Sequence, residues 1–334
     1  SHRYDLIYIL AELVGELACS HTYVGGGDYY KPESDKIALL GIEFEADKSA
    51  NLFRIGKIYE GKNWEERLRS PMTEPGVEAE VGYYIFEIDG QKLTADMNPY
   101  KLLINKADRI VTLKIGPTSD ERDAYKIEVD PIDNEQPLWY HNWVEERRAI
   151  VDSLSDGKIG YIHIPDMGSF GLNQFARQYY HLYKKQGLVI DVRFNGGGFV
   201  SQLALDRLRR VVVGMGAGRH DWVGTYPSTA FHGHMACLIN QFSCSDGDIF
   251  PYYFREYGLG PLIGVRTWGG VIGIGGFRPL MDGGFVTVPG GGSFSLEGEW
   301  IMENVGVEPD IEVEQDPAML MQGRDPQLER AVEY

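Results

Sequence analysis

The stretch Met235-Ala236-Cys237-Leu238-Ile239-Asn240-Gln241-Phe242-Ser243-Cys244-Ser245-Asp246-Gly247-Asp248-Ile249-Phe250 decides the fold. Its opening residues, 235–239, are an apolar run with the length and texture of a buried strand. The polar residues from Asn240 onward break that run. A helix starting near Asp246 would carry Phe250, Tyr252 and Phe254. Ser245 then stands just before a helix N-terminus, where unpaired backbone N–H groups point outward and can stabilise an oxyanion. Two readings of Ser245 are open from this stretch: a helix cap, and a nucleophile raised on a sharp turn.

Outward from this turn, strands and helices alternate after Asp156-Gly157. Strands are expected over 159–164, 188–192, 262–265, 285–288 and 311–313, and helices over 172–183 and 202–213. This alternation predicts an α/β core with parallel strands. A helix over 139–151 carries the charge run Glu145-Glu146-Arg147-Arg148, which reads as a solvated face. Near the start, Leu6, Ile9, Leu10, Leu13 and Leu17 have helical spacing, and the helix leads into Ala18-Cys19-Ser20-His21 and a loop over 23–27. No cap residue is visible before that helix, so the chain reads as opening inside a longer pattern. Between 37 and 115 the texture is short strands and turns. Strands are expected over 39–44, 53–59, 84–91 and 110–115, with a hairpin turn at Asp89-Gly90 and a short helix over 100–105. One more strand is expected over 125–129, within a polar stretch that reads as a boundary.

The 334 residues are 43% hydrophobic and 24% charged, an ordinary globular composition, and the formal net charge is −17. That charge argues against nucleic-acid partners and against an anionic membrane surface, both of which need basic patches. No apolar run is long enough for a transmembrane helix, and no signal peptide is visible. The three cysteines, Cys19, Cys237 and Cys244, give neither a disulfide framework nor a CxxC metal site. His232-Gly233-His234 has the spacing of metal ligands but no third or fourth ligand nearby, and reads as a solvated loop.

Two further segments belong with the Ser245 turn. Val192-Arg193-Phe194-Asn195-Gly196-Gly197-Gly198 follows a buried strand and precedes a helix. Consecutive glycines let a substrate approach the backbone, and their N–H groups can donate to an oxyanion. A phosphate loop fails, because no Gly-Lys-Ser/Thr follows. The other segment is Val265-Arg266-Thr267-Trp268-Gly269-Gly270.

Together these segments resemble the carboxyl-terminal processing (tail-specific) protease clan. The resemblance implies a crotonase-like catalytic core, and 37–117 resembles the PDZ domains inserted in such proteases, most clearly over 75–91. In ordinary members of the clan a lysine serves as base, and its position here is Gly270, which cannot take a proton. The tricorn-type branch uses a histidine instead. The chain is similar to that branch around Ser20-His21, over 191–202, over 245–260 and over 303–313. The resemblance implies Ser245 as nucleophile, His21 as general base, and Ser20 and Glu303 as the groups that orient and polarise His21. It implies an oxyanion hole from the amides of Asp246 and of Gly197 or Gly198. Elementary chemistry agrees: a serine hydroxyl needs a hydrogen-bonded base, and a carboxylate beyond the imidazole stabilises its charged form.

The division expected is 1–36 as the N-terminal helical part of the core, 37–117 as the PDZ domain, 118–137 as a linker and 138–334 as the rest of the core. Leu40, Gly41 and Ile42 would form the PDZ loop that receives a peptide carboxylate, with β-strand addition beside it. A rigid spacer with a blocked groove is the alternative, since Glu43 would repel a carboxylate. The function implied is a serine endopeptidase acting on oligopeptides or unfolded chains, without metal or organic cofactor. The branch is cytoplasmic and hexameric, so a homo-oligomer in the cytoplasm is implied. A periplasmic or secreted site follows if a preceding segment carries a signal peptide. Tricorn-type proteases also carry β-propellers ahead of this region, which nothing here resembles. The rival readings are a PDZ peptide-binding module on an inactive hydrolase scaffold, and an acyl-CoA enzyme, which the lack of a basic phosphate cradle disfavours.

Overall fold

A computed structural model describes residues 2–220 and 222–334. They divide into two compact units, one formed by the residues up to Tyr30 with Arg147–Tyr334, the other by Lys31–Glu146. The chain opens with α1 (Arg3–Gly15). It does have a cap: the His2 ring accepts from the Tyr4 amide, and the Asp5 carboxylate accepts from the His2 amide at 2.6 Å. Histidine is not a usual N-cap residue, so the sequence did not display it. The stretch read as a loop then contains β1 (Val24–Gly26).

The Lys31–Glu146 unit is an antiparallel sheet of β2 (Ile42–Asp47), β3 (Leu52–Ile58), β4 (Tyr84–Ile88), β5 (Gln91–Lys92), β6 (Val111–Gly116) and β7 (Tyr125–Val129), in the order β2-β3-β4-β6-β7 with β5 folded back on β4. At the β4–β5 turn Asp89 and Gly90 both have positive φ, 49° and 75°, which is what a two-residue primed hairpin demands. Along β6 Val111, Leu113 and Ile115 are buried and alternate with Thr112 and Lys114, so one face packs on the core of this unit. The stretch 118–137 is not a linker. Its strand β7 pairs along its whole length with β6, and Ile132 exchanges backbone hydrogen bonds with Leu39 at 2.8 and 3.0 Å. Its polar composition hid those backbone bonds.

The division between the units falls within α2 (Gln136–Leu154). The other unit continues with β8 (Ile159–His163), α3 (Ser169–Leu182), β9 (Gly187–Asp191), α4 (Ser201–Leu208), β10 (Gly214–Ala217), β11 (Val223–Tyr226), β12 (His234–Ile239), α5 (Asp246–Glu256), β13 (Leu262–Gly264), β14 (Gly273–Pro279), β15 (Gly284–Gly291), β16 (Ile311–Glu312), α6 (Pro317–Leu320) and α7 (Pro326–Glu333). Five of these strands form a parallel sheet in the order β16-β13-β12-β9-β8. Every residue of β9 is buried, as expected for a central strand covered on both faces. Phe175 and Tyr179 of α3, Leu205 and Leu208 of α4, and Phe250 and Phe254 of α5 share one core with it. Each such burial contributes about 1.5–3 kcal/mol. Because the strands are parallel, the segments following β9, β12 and β13 leave from the same edge of the sheet, where α/β folds bind their ligands.

A separate antiparallel sheet, β1-β15-β14, was only partly legible. Strand β14 contains Gly273, Gly275 and Gly276, a composition that disfavours strands in isolation. Tertiary pairing with β15 overrides it. In the expected charge run, Arg147 is not solvated: its side chain is only 14% exposed and faces Asp325 at 3.6 Å.

Candidate active site

Ser245 stands at the N-cap of α5 with φ 59° and ψ −121°, a left-handed conformation for a non-glycine residue. Such backbone costs on the order of 1–3 kcal/mol and persists only where neighbours enforce it. They do so here. The Cys244 amide donates to the Asn195 carbonyl at 2.9 Å, and the Ser243 hydroxyl donates to the Val192 carbonyl at 2.8 Å. The glycine loop then comes so close that a Cβ on Gly197 would lie 2.6 Å from Ser245 Cβ. Only glycine fits at 197.

The amides around Ser245 divide into used and free. Gly197 N–H donates back to Asn195 Oδ1 at 2.8 Å, while Asn195 Nδ2 donates to the Ile164 carbonyl at 2.8 Å. The expectation that the Gly197 amide could serve an oxyanion is therefore corrected: Asn195 already takes it. Among the described residues the amides of Gly198 and Asp246 have no hydrogen-bond acceptor. Gly198 has φ 149°, and a Cβ there would lie 2.1 Å from the Met167 carbonyl oxygen, so this position also requires glycine.

The Asp246 carboxylate does not face the cleft. It accepts from the amide of Ser201 at 3.0 Å and from the Ser201 hydroxyl, at the start of α4, and burial pushes its pKa above the ordinary carboxylate value. The Asp246 carboxylate thus ties α4 to α5. Asp248 accepts from Gly269 N–H at 2.8 Å and holds the segment after β13 against α5, and its pKa too is raised by burial.

His21, with φ 58°, is placed by the small sheet. Strand β1 follows it directly and pairs with β15 through Val24 and Val286. The buried Thr287 hydroxyl on β15 donates to the His21 carbonyl and accepts from the Tyr23 amide, each at 2.6 Å. Behind the ring, His21 Nδ1 lies 3.0 Å from Ser20 Oγ. Ser20 Oγ donates to Glu303 Oε2 at 2.9 Å and accepts from the Ile272 amide at 3.1 Å. Glu303 also accepts from the amides of Ser20 at 2.7 Å, Val271 at 2.7 Å and Ile272 at 3.0 Å. Burial acts to raise its pKa, but these donors prevail and hold it below the ordinary value. An ionised Glu303 only accepts, so the single Ser20 proton goes to it. Ser20 Oγ must then accept from His21 Nδ1–H, which leaves Nε2 as the basic nitrogen.

At Gly270, the position of the clan's lysine, a Cβ would lie 2.1 Å from the Trp268 ring, so a side chain there requires that ring to move. That ring stands edge-on to His21, with centroids 5.7 Å apart. His21, Ser245, Gly197, Gly198 and Trp268 line one cleft of about 710 Å³. Ser20 and Glu303 lie outside its lining, behind His21. Burial raises the pKa of Cys244 and, much more, that of Cys237, so neither thiol is poised as a thiolate. His232 and His234 are exposed. Asn195, Asp248 and Thr287 escaped sequence reasoning as supports of the site. Asn195 had a signal, its place within the glycine loop; Thr287 had none. In the other unit, the Gly41 amide is bound at 2.7 Å by the Glu135 carboxylate, and the side chains of Leu40 and Ile42 are buried.

Comparison with known proteins agrees with this architecture. Residues 158–313 match the model of Peptidase family S41, and residues 38–134 match the Tricorn protease PDZ domain. The Tricorn protease of Thermoplasma acidophilum is 38% identical over 332 residues, covering 99% of this chain and 30% of that protein. The Tricorn protease homolog of Saccharolobus solfataricus is 40% identical over 336 residues, covering 100% of this chain and 31% of that protein. A crystal structure of the tricorn protease superposes with a TM-score of 0.91 at 37% identity, covering 100% of this chain and 32% of that one. The chain therefore spans about a third of the length of these tricorn relatives. The chain therefore carries a peptidase family S41 domain over residues 158–313 and a tricorn-type PDZ domain over residues 38–134.

Proposed function

We propose that this chain forms the catalytic part of a serine endopeptidase that hydrolyses oligopeptides or unfolded polypeptides through an acyl-enzyme. The observation that carries the reading is the hydrogen-bonded series His21–Ser20–Glu303 opening onto the cleft that Ser245 lines. In this reading Ser245 Oγ attacks the scissile carbonyl carbon as its proton passes to His21 Nε2. The amides of Asp246 and Gly198 donate to the oxyanion. The C–N bond then breaks, and His21 returns the proton to the leaving amine. Water, deprotonated by His21, attacks the ester carbonyl, the acyl C–O bond to Ser245 breaks, and His21 returns the proton to Ser245 Oγ as the acid leaves. Support for a peptide substrate comes from the open cleft and the exposed aromatic rings of Phe199, Phe242 and Trp268 along it. A homo-oligomer, hexameric by resemblance, belongs to the same reading and is checked by sedimentation.

The test is labelling with a fluorophosphonate probe and location of the adduct by mass spectrometry. The expected adduct is on Ser245 and disappears in His21→Ala. Peptide turnover should fall by about 10⁶-fold in Ser245→Ala, with the fold retained. Normal turnover by that variant would refute the assignment, and peptide binding without cleavage by the unaltered chain would favour a binding module.

A further inference from the structure

In the Lys31–Glu146 unit, β2 is the edge strand of its sheet. Beside it lies a groove of about 390 Å³ lined by Phe44, Phe53, Tyr59, Tyr100 and Trp139 with the carboxylates of Glu43 and Glu135. In peptide-binding domains of this type the loop before such a strand offers backbone amides to a peptide's terminal carboxylate, while the peptide adds to the strand edge. Here that loop is 40–42. Gly41 turns with φ 72°, which aims its amide away from the sheet ladder.

That amide already has a carboxylate. Gly41 N–H donates to Glu135 Oε1 at 2.7 Å, and the Leu40 amide and the Trp139 side chain also draw the pKa of that carboxyl down. Glu135 is 4% exposed. It is held on its own stretch of chain, where Ile132 and Leu39 exchange backbone hydrogen bonds and the Trp139 amide donates to the Glu135 carbonyl at 3.0 Å. Glu43, bonded by the Tyr59 hydroxyl at 2.6 Å, adds a second negative charge to the groove. A third carboxylate entering here would find its donors taken and two like charges beside it.

We infer that Glu135 is a built-in occupant of the terminal-carboxylate site, so that this groove does not select free peptide C-termini. A peptide can still add along β2, but it binds as an extended segment, without recognition of its end. The inference rests on the loop geometry of this unit and is independent of the proposed peptidase chemistry. Burial pushes the Glu135 pKa up against the pull of its donors, as expected for a carboxylate taken out of water to fill a site.

The experiment uses the full chain carrying Ser245→Ala, so that any turnover is removed. Pooled hexapeptides ending in an apolar residue are prepared with a free carboxylate and as the carboxamide, and their affinities are compared by fluorescence polarisation. The unaltered groove should show less than about a twofold difference between the two forms, and Glu135→Ala should gain a preference of at least about tenfold for the free acid. In parallel, the free-acid pool should shift the Gly41 amide resonance only in Glu135→Ala. A strong free-acid preference with Glu135 in place, or no gain in the variant, overturns the inference. If Glu135→Ala does not fold, the comparison of acid and amide in the unaltered groove decides it alone.

Discussion

Ser20 Oγ gives its one proton to Glu303 at 2.9 Å, and that single bond sets the tautomer of His21. The hydroxyl is saturated, with one proton donated and two acceptances, from the Ile272 amide and from His21 Nδ1. The carboxylate acts on the imidazole only through this serine, not by direct contact.

Removing that intermediary should therefore cost rate rather than binding. For Ser20→Ala, kcat is expected to fall at least about 10²-fold with KM nearly unchanged, because Ser20 does not line the cleft. Steady-state kinetics on a fluorogenic peptide checks this. A rise in KM at constant kcat would show that Ser20 serves binding instead.

Glu303 supplies a pH-dependent term of stability with a definite sign. Its folded pKa lies below the ordinary glutamate value, so its contribution is present at neutral pH and is lost as the pH falls through the folded value. Thermal unfolding of the unaltered chain and of Glu303→Gln should differ at pH 7, and the gap should narrow below about pH 4.3. A gap constant from pH 7 to pH 3 would contradict an ionised Glu303.

The glycine loop offers a paired test at neighbouring positions. Gly197→Ala would drive a methyl to within 2.6 Å of Ser245 Cβ at φ 80°, and is expected to destabilise by about 1–3 kcal/mol and to abolish most activity. Gly196→Ala meets nothing within 4 Å and has no positive φ, so its stability should stay within about 0.5 kcal/mol of the parent. Equal effects at the two positions would refute the close approach as the cause.

Arg193, just ahead of that loop, is buried and binds Asp191 at 2.7 Å and Asp325 of the α7 cap at 2.9 Å. Arg193→Ala strands two buried carboxylates and is expected to destabilise by about 3–5 kcal/mol in urea unfolding. A loss below about 1 kcal/mol would show that water or neighbours compensate for the missing charge.

Local pattern was enough for the parallel sheet and the Ser245 turn, because a buried strand such as β9 must be apolar throughout and a strand-to-helix turn needs its polar break at Asn240. The resemblance to the processing proteases marked Gly270 as the position of the missing lysine and implied His21 as base in its place. What the tertiary structure decided depends on partners far apart in the chain. The glycine-rich β14 becomes a strand only because β15 pairs with it, and Thr287 fixes His21 from 266 residues away. Whether an amide of the glycine loop is free rests on where the Asn195 side chain points, and whether the PDZ loop is open rests on Glu135, 94 residues beyond Gly41. Residue type shows that a donor or an acceptor exists. Which acceptor each donor meets is settled only when the folded chain brings them within about 3 Å.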